Sequence, residues 1–125
     1  MILVIGAEGS GKKDYVKGLG YSEMQFGNAA DDALPVLDGL HKLVFSDPKT
    51  YKEQMTKMEA TGETDFLIPY LRKEVVICNE VGSGIIPMDA NDRMAREQTG
   101  RLCIQLAKRA EKVVRMVCGI PNIIK

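Results

Sequence analysis

Tryptophan is absent from the chain, histidine occurs once, at His41, and the three cysteines form no CxxC pair. A structural zinc site usually draws on closely spaced cysteine and histidine ligands, so a zinc-built fold is not expected. Cys78, Cys103 and Cys118 are odd in number and far apart, which does not suggest a disulfide framework. Cys78 and Cys118 stand inside apolar runs and read as reduced thiols acting as small hydrophobes. A cytoplasmic location is the simplest expectation. Excess charge is also lacking: Lys plus Arg and Asp plus Glu both number 17, for a formal net charge of zero. Nothing electrostatic calls for a nucleic-acid or membrane partner, and weak repulsion between copies leaves self-association open. The run MILVIG is too short, and too soon followed by glycines, for a membrane span or a secretory leader.

What is present fits an ordinary globular domain: 125 residues, 45% hydrophobic and 27% charged, enough for one continuous core over residues 1–125. Ile2 to Ile5 is a continuous apolar run, as in a strand buried on both faces of a parallel sheet. Lys12 to Leu19 reads as a short helix closed by Gly20, and Met24 to Phe26 as a brief strand. Pro35 to Asp38 is a second apolar run ending in a carboxylate. Ser46-Asp47-Pro48 is a helix start, a capping residue followed by proline at the first helical position. Asp65 to Arg72 is limited in regularity by Pro69. Val75 to Cys78 is a third apolar run, and Asp89 or Asn91 can cap a long helix to about Ala110. Val113 to Cys118 is the last strong strand; Gly119 to Asn122 reads as a turn, with Ile123-Ile124 returning as an edge strand. Strands alternating with helices predict an α/β fold with a mostly parallel sheet, helices on both faces and a C-terminal hairpin edge.

Gly6-Ala7-Glu8-Gly9-Ser10-Gly11-Lys12-Lys13 follows the first strand and opens a helix, the context in which G-x-x-x-x-G-K-[ST] cradles phosphate. Gly6, Gly9, Ser10 and Gly11 let backbone N–H groups converge on phosphate oxygens, and Lys12 reaches the β- or γ-phosphate. This is the fold of a P-loop nucleotide-binding domain, and GTP or ATP is the ligand it implies. An ordinary glycine-rich turn that binds nothing is the competing reading. Lys13 stands where a serine or threonine hydroxyl ligates magnesium. Three outcomes are open: magnesium is held without this ligand, Lys13 points away, or its charge partly replaces the metal.

Ligands of parallel sheets gather outside the carboxyl ends of the strands. Asp38 and Glu80 both follow apolar runs, and both are candidates to lie beside Lys12. Asp38 suits the carboxylate that holds magnesium through water; Glu80 suits orienting a substrate hydroxyl or helping to hold the metal. A solvated or capping carboxylate is the alternative for each.

Asn79-Glu80-Val81-Gly82-Ser83-Gly84-Ile85-Ile86-Pro87 resembles the NEVGxGIVP signature of the adenosylcobinamide kinase / adenosylcobinamide-phosphate guanylyltransferase family. Arg93, Arg96, Gly100-Arg101, Leu106-Ala107, Val113 and Gly119-Ile120-Pro121 follow in the family's order. MILVIG through Lys12 is similar to its phosphate loop, and Leu37-Asp38-Gly39-Leu40 to its Asp-Cys-Leu segment. The resemblance implies a cytosolic, homo-oligomeric P-loop enzyme of cobalamin biosynthesis. Such an enzyme phosphorylates adenosylcobinamide, a corrinoid, and then transfers GMP from GTP through a guanylylated histidine. It also implies phosphate contact for Arg93 and Arg96, against the plainer reading that they pair at the surface with Asp89, Asp92 and Glu97.

The departures are as informative. The stretch between phosphate loop and aspartate is short here, and it lacks the HxxRRP-like run that carries the family's guanylylated histidine. His41 follows Asp38 and reads as a surface or packing histidine. Glu97 stands for the family's aspartate, and Cys103-Ile104 for its Asn-Gln pair. Two functions follow from these residues. One is a GTP- or ATP-dependent kinase with Lys12, Asp38 and Glu80 at its centre and no guanylyl transfer. The other is a nucleotide-binding module, regulatory or oligomeric, with little turnover.

Overall fold

The computed structural model describes residues 1–81 and 89–125; residues 82–88, and with them most of the NEVGSGIIP segment, lie outside the described residues. Strand β1 (Ile2–Gly6) leads into helix α1 (Lys12–Gly18), and a 3-10 turn at Glu23–Gln25 precedes the short strand β2 (Phe26–Gly27). Strand β3 (Val36–Asp38), helices α2 (Leu40–Ser46), α3 (Pro48–Thr61) and α4 (Ile68–Leu71), and strand β4 (Val75–Asn79) follow. Helix α5 (Ala90–Arg109) then crosses to the hairpin of β5 (Lys112–Val117) and β6 (Ile120–Ile123).

The strands form one sheet in the order β2-β3-β4-β1-β5-β6. Its first five strands are mutually parallel, and β6 runs antiparallel to β5. The two-residue period of β1, β4 and β5 sends alternate side chains to opposite faces, and both faces are covered. On one face Val4, Val36, Val75, Ile77, Val114 and Met116 pack with Val16 of α1. On the other, Leu3, Leu37, Val76, Cys78 and Val113 lie under Leu40 and Val44 of α2, Met55 and Met58 of α3, and Leu102 and Leu106 of α5. Full burial of each large aliphatic side chain contributes about 1.5–3 kcal/mol, so these two apolar layers hold the three-layer α/β fold together. That is the architecture expected from the sequence.

Local chemistry explains the element boundaries. The Asp47 carboxylate accepts the Thr50 N–H at 3.4 Å, and Pro48 opens α3. The Asp89 carboxylate accepts the Asp92 N–H at 2.9 Å and starts α5. Three expectations shift. The segment read as a strand at Met24 to Phe26 is mostly the 3-10 turn, with the strand confined to Phe26–Gly27. Helix α2, with Leu40 and Val44 buried one turn apart, has no side-chain cap to announce it; Gly39 starts it at φ +95°. The C-terminal turn lies two residues early, at Cys118 and Gly119 with φ of +50° and +77°. Positive φ at both centres matches the right-handed twist of a tight hairpin, and Pro121 is tolerated because β6 is an edge strand.

Candidate functional site

The loop from β1 to α1 is shaped by close packing. A side chain at Gly6 would meet the Ser10 Oγ at 2.5 Å and the Met116 carbonyl at 2.8 Å. The Ser10 N–H donates to the Ala7 carbonyl at 3.2 Å, turning the loop, and the Ser10 carbonyl accepts the Gly119 N–H at 2.9 Å. The β5–β6 turn thus braces the loop from behind, and Gly11, at φ +92°, lies so near Gly119 that its Cβ would stand 3.2 Å from the Gly119 Cα. The Ser10 hydroxyl is buried without a hydrogen-bond partner among the described residues. Helix α1 begins immediately afterwards, its first backbone bond running from the Tyr15 N–H to the Gly11 carbonyl.

Lys12 is only 8% exposed, and its ammonium donates to the Ala7 carbonyl at 2.6 Å. Burial pulls its pKa below the ordinary value; Glu8, Cys78, Asp38 and Glu80, in that order, oppose the shift. The ends of β3 and β4 bring further groups alongside. The Asn79 side-chain amide donates to the Glu8 carboxylate at 2.5 Å, drawing that carboxylate to one side of the loop. The Asn79 backbone N–H donates to His41 Nδ1 at 3.2 Å, so the proton of the neutral imidazole resides on Nε2. Burial, reinforced by Lys42, lowers the His41 pKa, and the ring is neutral at neutral pH.

Together these residues line a cavity of about 360 Å³ at the carboxyl edge of the sheet. Gly9, Ser10, Gly11, Lys12, Lys13 and Asp38, all expected from the sequence, are in its wall. Gly6 lies at the base of the loop as the last residue of β1. Glu80 is directed elsewhere: its carboxylate takes two hydrogen bonds from the Arg115 guanidinium, at 2.6 and 3.1 Å. Its backbone N–H donates to the Gly6 carbonyl at 2.8 Å. Arg93 and Arg96 stand in the first turns of α5, and neither is among the described residues that line the cavity.

Sequence reasoning missed His41, Lys42 and Asn79 as wall residues. His41, read as a surface or packing side chain, is in the wall because α2 starts at once after β3 and carries its first turn to the sheet's carboxyl edge. The signal was the Asp-Gly pair ending a buried strand.

Residues 29–124 match the profile of the family described as cobinamide kinase / cobinamide phosphate guanyltransferase. The phosphate-loop segment precedes the matched stretch. No curated protein matches the chain. The match spans well over half of the sequence and includes β3, β4, α5 and the terminal hairpin, and the chain belongs to the cobinamide kinase / cobinamide phosphate guanyltransferase family.

Proposed function

We propose that this chain binds the polyphosphate of GTP or ATP in the cavity around Lys12, as a member of its family that serves phosphoryl transfer to a cobinamide-type corrinoid. The observation that carries the reading is the Lys12 ammonium. It is buried at a glycine-rich strand-to-helix loop, with one hydrogen bond among the described residues, in the wall of a cavity of nucleotide-phosphate size. A buried ammonium whose donors are mostly unspent gains from an anion, because phosphate oxygens restore the solvation it lost on folding. His41 Nε2–H and Lys42 add donors in the wall of the same cavity. Phosphoryl transfer depends on positioning and charge neutralisation rather than on covalent chemistry of the protein, and these groups supply both.

Guanylyl transfer is not part of the proposal. The family's histidine-bearing segment is absent, and His41 is a neutral ring whose Nδ1 is already engaged by Asn79. A second reading, a nucleotide-binding module with little turnover, is favoured by one specific observation. Glu80, a candidate to orient the acceptor hydroxyl, is engaged by Arg115.

Titration with a fluorescent GTP or ATP analogue tests the binding, with Lys12→Ala expected to abolish it. Incubation with γ-labelled nucleotide and adenosylcobinamide separates the two readings: label on the corrinoid supports the kinase, and bound but untransferred nucleotide supports the module. No covalent protein–GMP adduct is expected after incubation with GTP, and an acid-labile adduct on His41 would overturn that exclusion.

A further inference from the structure

The residue after Lys12 decides how the phosphate charge is met. A magnesium ion in a phosphate loop of this type needs a hydroxyl ligand from that residue and a carboxylate nearby, with oxygens at about 2.0–2.1 Å in near-ideal octahedral geometry. Here the hydroxyl is replaced by the Lys13 ammonium, a group with no lone pair. Its position is set from several sides. The Lys13 Nζ donates to the Glu23 carboxylate at 2.7 Å and stands 3.9 Å from Asp38 Oδ2. It also lies 5.4 Å from the centre of the Phe26 ring, within reach of a cation–π attraction. Glu23 itself is shared with Lys17, 2.5 Å away.

The ammonium therefore stands beside Asp38, the first carboxylate that the sequence offers for magnesium, while the other, Glu80, is engaged by Arg115. A divalent ion placed on Asp38 would face the Lys13 charge at a few ångströms, with Lys12 and Lys42 in the same wall. The residues present do not fit magnesium. A bare polyphosphate would meet three lysines, Lys12, Lys13 and Lys42, in a wall that also holds Glu8, Asp14 and Asp38; the Asn79 amide holds the Glu8 carboxylate to one side and the Lys13 ammonium stands beside Asp38.

We propose that the chain binds nucleoside triphosphate as the metal-free anion, with the Lys13 ammonium, held between Glu23 and Asp38, standing where a magnesium ion would otherwise sit. The proposal rests on the nucleotide-binding reading and sharpens it. Binding of the free triphosphate needs no cation from solution, because the positive charge is built into the first turn of α1.

The test is a titration of the full chain with fluorescent GTP and ATP analogues, once in EDTA and once in millimolar magnesium. The expected result is an affinity in EDTA equal to or tighter than that in magnesium. Lys13→Ser removes the internal cation and restores the hydroxyl. Its affinity in EDTA should fall about tenfold, the equivalent of one charge-assisted hydrogen bond, and magnesium should recover most of the loss. Lys13→Arg keeps the charge and should keep metal-free binding, with circular dichroism reporting that both variants fold. Wild-type binding that requires magnesium would overturn the proposal and leave nucleotide binding intact. Unchanged behaviour of Lys13→Ser in both buffers would also overturn it. Failure of wild-type chain to bind in either buffer would remove the nucleotide reading as well.

Discussion

Two buried lysines stand at opposite edges of the same sheet, and they are used differently. Lys73 is 5% exposed and precedes β4 at the amino edge. Its ammonium donates to the Leu34 carbonyl at 2.7 Å, to the Asp32 carbonyl at 3.0 Å and to the Asp32 carboxylate. All three N–H donors are spent, and the same Asp32 carboxylate accepts the Leu34 N–H at 3.0 Å. Lys12, at the carboxyl edge, spends one donor among the described residues. Each lysine lines a cavity, of about 410 Å³ at Lys73 and about 360 Å³ at Lys12. Volume does not tell the two apart. Unspent hydrogen-bonding capacity on a desolvated charge does: Lys73 ties the 32–34 segment to β4, while Lys12 keeps the donors that the proposed phosphate would use.

That contrast can be broken in two ways. The largest effect is expected at Lys12→Ala, which should weaken nucleotide binding by about a hundredfold or more. Its unfolding free energy should change by less than about 1 kcal/mol, because the lost stem packing is offset by removal of a poorly solvated charge. Equilibrium urea unfolding and nucleotide titration on the same preparation read both halves. Lys73→Ala should do the reverse. Two backbone carbonyls lose their donor, so stability should fall by about 2 kcal/mol or more, with nucleotide affinity unchanged once the variant is folded. A loss of binding without loss of stability at Lys73 would erase the distinction.

The smallest effect concerns His41. Its folded-state pKa lies below the ordinary value of 6.5 because burial disfavours the charged ring. The unfolded chain therefore takes up the proton first as pH falls. Stability should be highest above 6.5 and decline through the window down to the depressed folded value. The ring is only partly buried, so solvent screening keeps this loss small. His41→Asn should flatten that part of the profile, as read by urea unfolding at neutral pH and at about pH 5.

Much of the frame was legible in the residue order. Continuous apolar runs at Ile2–Ile5 and Val75–Cys78 fit strands covered on both faces, and both are central in the sheet. Caps with a physical signature marked α3 at Asp47-Pro48 and α5 at Asp89 or Asn91, of which Asp89 is the cap. Helix α2 was not legible, since it is seven residues long and starts on a glycine with no capping side chain. The hairpin was displaced because Pro121 reads as a turn residue in isolation, whereas an edge strand has no partner waiting for its missing N–H. Within the site, the loop residues and Asp38 could be read from spacing; His41 and Asn79 could not, because their meeting depends on how β3 and β4 align side by side.

By itself the sequence determined the alternation of strand and helix, the glycine-rich loop ending in Lys12, and an ammonium rather than a hydroxyl at position 13. These are local properties of backbone freedom, hydrophobic period and side-chain chemistry. Only the tertiary structure decided that Lys13 faces Asp38, that Arg115 takes Glu80, and that Lys73 is spent while Lys12 is not. Each of those outcomes pairs charges from separate segments. The strength of such a pair depends on distance and burial, which the order of residues does not contain.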